Sequence, residues 1–179
     1  KKILDLCEKF KFKIKTLTGD CFMQAPFYKK SGLDQENLIN NFKDIITASS
    51  KIGIEMIVIP LVDAGRLDTK DQEDFLVSTL NNLIPILIEN RLKIIFEIDF
   101  RPEDQARFIS RLPKEYFGIN YDSGNSAALG FAADYEIPLI ADRILNIHIK
   151  DRVFAGTTVP LGTGSADFDE VFKQLKKIN

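Results

Sequence analysis

The sequence has little of what several common classes of protein require. Its only cysteines, Cys7 and Cys21, form neither a metal-binding knuckle nor a disulfide framework, so we expect a reducing compartment, the cytoplasm. No apolar run approaches the roughly 18 residues of a membrane span, and the N-terminal residues lack the pattern of a signal peptide. The net charge of −2 provides no basic surface for nucleic acid or an anionic membrane. We therefore predict neither partner.

Strand-like and helix-like patterns alternate along the chain. The strand candidates are apolar runs, which indicates strands buried on both faces in a parallel sheet that helices cover. No glycine-rich fingerprint follows a strand, so a dinucleotide fold has no support and a (β/α) barrel is preferred. We predict one domain over residues 1–179. The predicted strands are 12–18, 56–61, 92–97, 117–122 and 144–150. The longest predicted helix is 71–90, kinked at Pro85. Residues 1–10 are predicted to be helical, and residues 19–33 and 152–165 are predicted to be loops.

Three of these strands carry, at or near their ends, side chains of the types that bind metals. They are Glu97, Asp122 and His148, the last being the only histidine in the chain. Side chains alternate between the two faces of a strand, and counting by twos places all three on the same face, above polar or small residues. The opposite faces are apolar. In a barrel, functional residues gather at the carboxyl ends of the strands, so the pattern predicts one shared site.

Two carboxylates and one imidazole suit a divalent ion of manganese, magnesium, cobalt or zinc, without selecting among them. Such an ion would stabilise an enediolate, the species formed when a proton leaves a carbon beside a carbonyl. A nearby carboxylate could move that proton, an effect of roughly 10²–10⁴-fold in rate. Each residue taken singly is more simply a salt-bridge partner, a turn residue or an ordinary core residue. The set favours a metal, because buried carboxylates need compensating charge.

Other polar residues near these strand ends have weaker signals. The run from Asp122 to Asn125 reads equally well as a turn that ends its strand. Lys150 and Arg152 could contact an anionic or polyhydroxylated substrate, although charged residues after a strand are usually solvated. Asp167 and Glu170 have the spacing of a capping box for the last helix.

Four short motifs resemble the xylose isomerase-like superfamily of (β/α)₈ barrels, specifically its sugar (phosphate) isomerases and epimerases. They are IIFE ending at Glu97, NYDSGN ending at Asn125, NIHIKDR ending at Arg152 and VPLGTGSADFDEVF ending at Phe172. The last two occur at the family's spacing. The resemblance implies a metal-dependent enzyme with a small sugar or sugar phosphate as its substrate, and it leaves a homo-oligomer open.

The resemblance also implies roles for individual residues. Glu97, Asp122 and His148 would be metal ligands on the fifth, sixth and seventh barrel strands, and Glu97 would be one of two glutamates that move the proton. Asn125 falls where relatives carry a histidine or asparagine near the substrate. Glu103 matches, weakly, a glutamate that contacts substrate in some ketose epimerases.

The sequence departs from the family pattern in two places. An arginine expected six residues after the histidine is Phe154 here, so either Arg152 serves instead or the substrate differs. Counting strands back from His148 assigns the chain to strands 3–7 of a partial barrel, without strands 1, 2 and 8. The family's fourth ligand, a glutamate on the eighth strand, would then lie beyond Asn179, and we expect this stretch alone to be weakly active or inactive.

Three other functions compete with that of a sugar isomerase or epimerase. An abasic-site endonuclease needs a histidine-rich zinc cluster and a basic DNA-binding face, so one histidine and a net charge of −2 argue against it. A dehydratase or lyase acting on keto-polyols would use the same metal and stays open. A non-catalytic sugar-binding module also stays open, and the absent fourth ligand is its best support.

Overall fold

The computed structural model describes residues Lys2–Ile178. Lys1, the first residue of a helix predicted over residues 1–10, lies outside the described residues, as does Asn179. The chain divides into two compact units, Lys1–Ile94 and Ile95–Asn179.

The first unit contains two parallel strands, the start of a third, and their helices. In chain order the elements are α1 Lys2–Lys9, β1 Thr16–Thr18, α2 Asp20–Gln24, α3 Gly32–Lys51, β2 Met56–Leu61, α4 Lys70–Asn82 and α5 Ile84–Asn90, and then β3 Lys93–Ile98 continues into the second unit. β1 pairs with β2 in parallel, Thr16 opposite Met56, and the strand order is β1-β2-β3.

Burial on both faces of β2 defines the core of the first unit. Five of its six residues are buried, as its continuous apolar run predicts. Three aromatic rings pack together around Phe42 of α3. The ring centres of Phe22 and Phe42 lie 4.5 Å apart, edge to face, and those of Phe27 and Phe42 lie 5.9 Å apart. Burying Phe22 explains why a stretch predicted as loop, residues 19–33, contains the short helix α2.

Two other predictions for the first unit need correction. The predicted helix 71–90 is two helices, because α4 ends at Asn82 and Leu83 serves as the boundary with α5. Pro85 lies in the first turn of α5, where its missing N–H needs no acceptor, so it starts a helix rather than kinking one. The predicted strand 12–18 pairs only over Thr16–Thr18.

The second unit contains most of β3 and the strands and helices that follow it. After β3 the elements are α6 Pro102–Ser110, β4 Phe117–Asp122, α7 Ser123–Leu129, α8 Ala133–Ile140, β5 Ile144–His148, β6 Asp151–Arg152, β7 Thr158–Val159 and α9 Phe168–Leu175. The strand order is β3-β4-β5, and β4 and β5 are parallel, with Asn120 opposite Asn146 and Asp122 opposite His148. The short strands β6 and β7 form an antiparallel pair that lies, except for Asp151, in the predicted loop 152–165.

The apolar faces of β3 and β4 are buried, as the alternation predicts. Phe96 contacts Phe108 of α6 edge to face, with ring centres 5.4 Å apart, and stacks near Phe117 at 6.4 Å. All six residues of β4 are buried. In β5 the burial is weaker, since Leu145 is 36% exposed.

The last helix begins with half of the predicted capping box. The Asp167 carboxylate accepts the backbone N–H of Glu170 at 2.9 Å. The Glu170 carboxylate does not reach back; it accepts from Lys173 at 2.8 Å and from Gln174. Among the helices that the structure describes, none is long and apolar enough to cross a membrane.

Candidate metal centre

The second unit brings Glu97, Asp122 and His148 together at the carboxyl ends of β3, β4 and β5. Each offers one ligand atom, and these atoms lie within 4.8 Å of one another. The Nδ1 atom of His148 is 3.2 Å from Oε2 of Glu97 and 3.9 Å from Oδ2 of Asp122. The prediction that the three side chains share one face is confirmed by this gathering and by the pairing of Asp122 with His148.

The donor spacing fits a divalent ion. Nitrogen and oxygen donors lie about 2.0–2.2 Å from such an ion, so neighbouring donors lie about 3–4 Å apart. The separations of 3.2 and 3.9 Å between His148 and the two carboxylates fall in that range. Mixed carboxylate and imidazole donors accept manganese, magnesium, cobalt or zinc. The arrangement can therefore hold a cation with small movements of the side chains.

The two oxygens of Asp122 have different partners. Oδ1 accepts the backbone N–H of Asn125 at 2.8 Å and thereby caps α7, so this stretch opens a helix instead of forming a simple turn. Oδ2 lies toward His148 and is 3.4 Å from the Lys150 ammonium. The cap holds the carboxylate in place and leaves one oxygen for a ligand.

Glu97 is held from both sides. Its Oε1 accepts a hydrogen bond from Nδ2 of Asn125 at 2.6 Å, and its Oε2 accepts from Nδ2 of Asn120 at 3.3 Å. Burial alone would raise the pKa of Glu97, but the hydrogen bond and positive charge of His148, aided by Lys150 and Asn125, outweigh it and lower the pKa. Glu97 is thus kept as a carboxylate, the form that binds a cation or accepts a proton.

The hydrogen bond between Glu97 and His148 lowers the pKa of the carboxyl group and raises that of the imidazole. This hydrogen bond raises the pKa of His148 against the effect of burial, with further help from the Asp122 charge. A divalent ion would replace the proton on this ring, because a ligating imidazole is neutral.

Two asparagines, Asn120 of β4 and Asn146 of β5, lie on the same face of the sheet as the three ligands. Neither was predicted as a site residue. Asn146 donates to Oδ1 of Asn120 at 2.6 Å, which directs the Asn120 amide nitrogen toward Glu97 and His148. That nitrogen is 3.0 Å from Nδ1 of His148. Asn120 is 1% exposed. Period-two counting places both residues on the ligand face, but which atoms they bond is decided by strand register.

Asn125, Lys150 and Arg152 also meet beside the triad. Oδ1 of Asn125 accepts hydrogen bonds from the Lys150 ammonium at 2.9 Å and the Arg152 guanidinium at 3.0 Å. The Asn125 amide therefore touches Glu97 on one side and two cations on the other.

Residues 1–179 match a family described as the xylose isomerase-like TIM barrel. The chain belongs to this family. The resemblance inferred from the motifs is confirmed, as is the α/β class with parallel strands.

The chain is similar to several proteins of the family. It is 37% identical over 75 residues to the "Putative L-ribulose-5-phosphate 3-epimerase SgbU" of Escherichia coli (strain K12), a match that covers 38% of this chain and 26% of the relative. It also resembles the D-psicose 3-epimerase of Clostridium cellulolyticum H10, crystallised with D-tagatose, at a TM-score of 0.79 and 12% identity, over 99% of this chain and 64% of that one. A crystal structure of the IOLI protein with a bound zinc atom matches at a TM-score of 0.77 and 20% identity, over 100% of this chain and 69% of that one.

The matched region spans about a quarter of the length of the curated relative. At 12% and 20% identity, the two structural matches establish the fold alone.

Two residues singled out by the family pattern lie elsewhere in the second unit. Glu103 is in the first turn of α6, and its carboxylate accepts a hydrogen bond from Tyr135 of α8. It does not belong to the group of ligand atoms around His148. Its role in substrate binding stays a prediction. Phe154 is 66% exposed and lies against Gly130.

Proposed function

We propose that the protein is a metal-dependent isomerase or epimerase of a sugar or sugar phosphate. The observation that carries the proposal is the gathering of Glu97, Asp122 and His148 at three adjacent strand ends. Membership of the xylose isomerase-like family supports it, as does the name of the curated E. coli relative. The zinc atom in the IOLI protein supports a divalent metal as the cofactor.

In this proposal Glu97, Asp122 and His148 hold the metal and Glu97 also moves the proton. The ion would supply Lewis-acid stabilisation of negative charge on the substrate oxygens. Glu97 takes the proton from the carbon beside the carbonyl and leaves an enediolate. Asn125 orients Glu97 by donating to its Oε1. Lys150 and Arg152, which both donate to Oδ1 of Asn125, would bind substrate oxygens. Return of this proton by Glu97 to the neighbouring carbon gives isomerisation. Epimerisation requires a second acid, which delivers a proton to the original carbon from the opposite face while Glu97 keeps the first.

We further assign β1 to β5 to the third to seventh positions of the barrel. The single-domain assignment of residues 1–179 and the cytoplasmic location stay predictions, as does a homo-oligomer. The fourth ligand that the family pattern implies is not among the residues described.

Metal binding is the direct test. Calorimetric titration of the chain with Mn²⁺ and Zn²⁺ should show one site, and Glu97→Gln or His148→Ala should weaken it at least tenfold, since each removes a ligand. Glu89→Gln is the matched control, because Glu89 is an exposed glutamate of α5. Binding that is unchanged in both site variants would contradict the metal centre and favour a non-catalytic sugar-binding protein.

Proton transfer needs a second measurement. With metal bound, a version of the protein that includes the eighth-strand glutamate implied by the family pattern should exchange the hydrogen beside the carbonyl of a ketose or ketose phosphate for solvent deuterium. NMR spectroscopy follows this exchange. Glu97→Gln should abolish this exchange, whereas Glu89→Gln should not. Loss of water from the substrate without exchange into recovered substrate would point instead to the dehydratase reaction.

A further inference from the structure

Two cations converge on one neutral oxygen beside the metal centre. The Lys150 ammonium and the Arg152 guanidinium are 2.9 and 3.0 Å from Oδ1 of Asn125. Both side chains are partly buried, and the exposed fraction of the Lys150 side chain is 32%. A neutral amide oxygen balances neither charge, and the carboxylate oxygen nearest Lys150, Oδ2 of Asp122 at 3.4 Å, also faces the metal triad.

The backbone around these cations is held firmly by Asp151. This residue lies between them in the chain and is 1% exposed. Its carboxylate accepts backbone N–H groups from Gly162 at 2.9 Å, Gly164 at 2.8 Å and Ala166 at 3.1 Å. These hydrogen bonds lower the pKa of Asp151 although burial opposes them, so the anchor is a carboxylate. The glycine-rich segment after β7 is thereby tied to the point where Lys150 and Arg152 emerge.

Close packing restricts both cations further. A Cβ on Gly124 would lie 2.7 Å from Cγ of Lys150, so the aliphatic part of the lysine side chain packs against α7 only because residue 124 is glycine. The Arg152 guanidinium also donates twice to the carbonyl of Gly156, at 3.1 Å from Nε and 2.7 Å from Nη2. Among the described residues, the acceptors of Lys150 are Asn125 and Asp122, two for its three ammonium hydrogens. The cations are preorganised and keep hydrogen-bonding capacity for a ligand.

The charge of the site then indicates what that ligand is. The carboxylates of Glu97, Asp122 and Asp151 carry three negative charges, and Lys150 and Arg152 carry two positive charges. A divalent ion at the triad, beside a neutral His148, would add two positive charges and leave these groups with one positive charge in excess. Excess positive charge in a partly buried site attracts an anion, whereas the hydroxyl groups of a neutral sugar would not need it.

We propose that Lys150 and Arg152 bind an anionic group of the substrate, a phosphate or a carboxylate, so that the enzyme acts on an acidic sugar derivative rather than a neutral one. This inference rests on the proposed function, because it takes the metal centre as the reaction site. Asn125 lies between this anion site and Glu97, which would place the charged group of the substrate a few bonds from the reacting carbon.

Ligand titrations at saturating Mn²⁺ test the proposal. Inorganic phosphate, ribulose 5-phosphate, ribulose and a sugar acid would be compared by calorimetry at low and high salt. We expect ribulose 5-phosphate or the sugar acid to bind at least tenfold more tightly than ribulose, and which of the two does so identifies the anion. Equal affinity for ribulose and both acidic ligands would overturn the inference while leaving the metal centre intact.

Variants separate an anion site from a merely structural role. Lys150→Gln and Arg152→Gln should each weaken phosphate binding about tenfold, the usual effect of losing a charge-assisted hydrogen bond. Lys150→Gln should leave Mn²⁺ affinity unchanged or increased, because the ammonium no longer competes for Oδ2 of Asp122. The exposed Lys114 provides the control Lys114→Gln, with no effect on either. If the glutamine variants misfold, the salt dependence of the unmodified protein decides: phosphate affinity that falls as salt rises supports the proposal, and affinity that does not change with salt refutes it.

Discussion

The buried glutamate Glu136 makes the stability of the second unit depend on pH. It lies on α8, is 4% exposed, and accepts a hydrogen bond from the Ser126 hydroxyl of α7. Burial raises its pKa from 4.5 to about 7, and the Ser126 hydrogen bond offsets only part of that effect. The carboxyl group is therefore protonated in the folded protein under mildly acidic conditions, when the unfolded chain has already ionised it.

The magnitude follows from this difference in pKa. Between pH 4.5 and about 7 the folded state holds a proton that the unfolded state has released, so the free energy of unfolding falls as pH rises through this window. One pKa unit corresponds to about 1.4 kcal/mol, so the loss reaches about 3 kcal/mol above pH 7. Glutamine cannot ionise and has nearly the same shape, so Glu136→Gln should remove this loss.

Urea unfolding followed by circular dichroism would measure the effect at half-unit steps from pH 5 to pH 8. The two proteins should be of similar stability near pH 5, and Glu136→Gln should become the more stable by about 2–3 kcal/mol at pH 8. Taking the difference cancels the titration of other groups, including the raised pKa of His148. Glu89→Gln should follow the pH profile of the unmodified protein. Parallel profiles for Glu136→Gln and the unmodified protein would refute the reasoning.

Two further substitutions test the supports of the metal and anion sites. Asn120→Leu removes the amide that donates to Oε2 of Glu97, and should weaken Mn²⁺ binding about 10–100-fold, the usual cost of losing a partner that orients a metal ligand. Unchanged affinity in calorimetry would show that the amide does not position Glu97. Gly164→Ala would place a Cβ 2.3 Å from Oδ1 of Asp151. It should therefore speed amide hydrogen exchange over residues 151–166 and weaken phosphate binding. Gly162→Ala is its control, since that Cβ meets nothing within 4 Å and costs only the strain of a positive φ, about 1 kcal/mol; equal effects of the two would contradict a steric origin.

The strands could be predicted closely because each is a short apolar run. The predicted bounds of β2 and β4 are those observed, and β3 and β5 differ by one or two residues at their ends. Helix boundaries were less accurate. Pro85 reads as a kink from sequence alone, because the position of a proline within a helix depends on where the preceding helix stops. The short pair β6 and β7 has no periodic signal of its own, since two residues are too few to show alternation.

The sequence by itself determined the identity and direction of the candidate metal ligands. Alternation along apolar strands is a local property, so counting by twos was enough to place Glu97, Asp122 and His148 on one face. Only the tertiary structure decided what surrounds them. The bonds from Asn120 depend on register between strands, and the Asp151 anchor joins backbone amides 11 to 15 residues away. No local pattern encodes such contacts, because they form only when separate segments pack together.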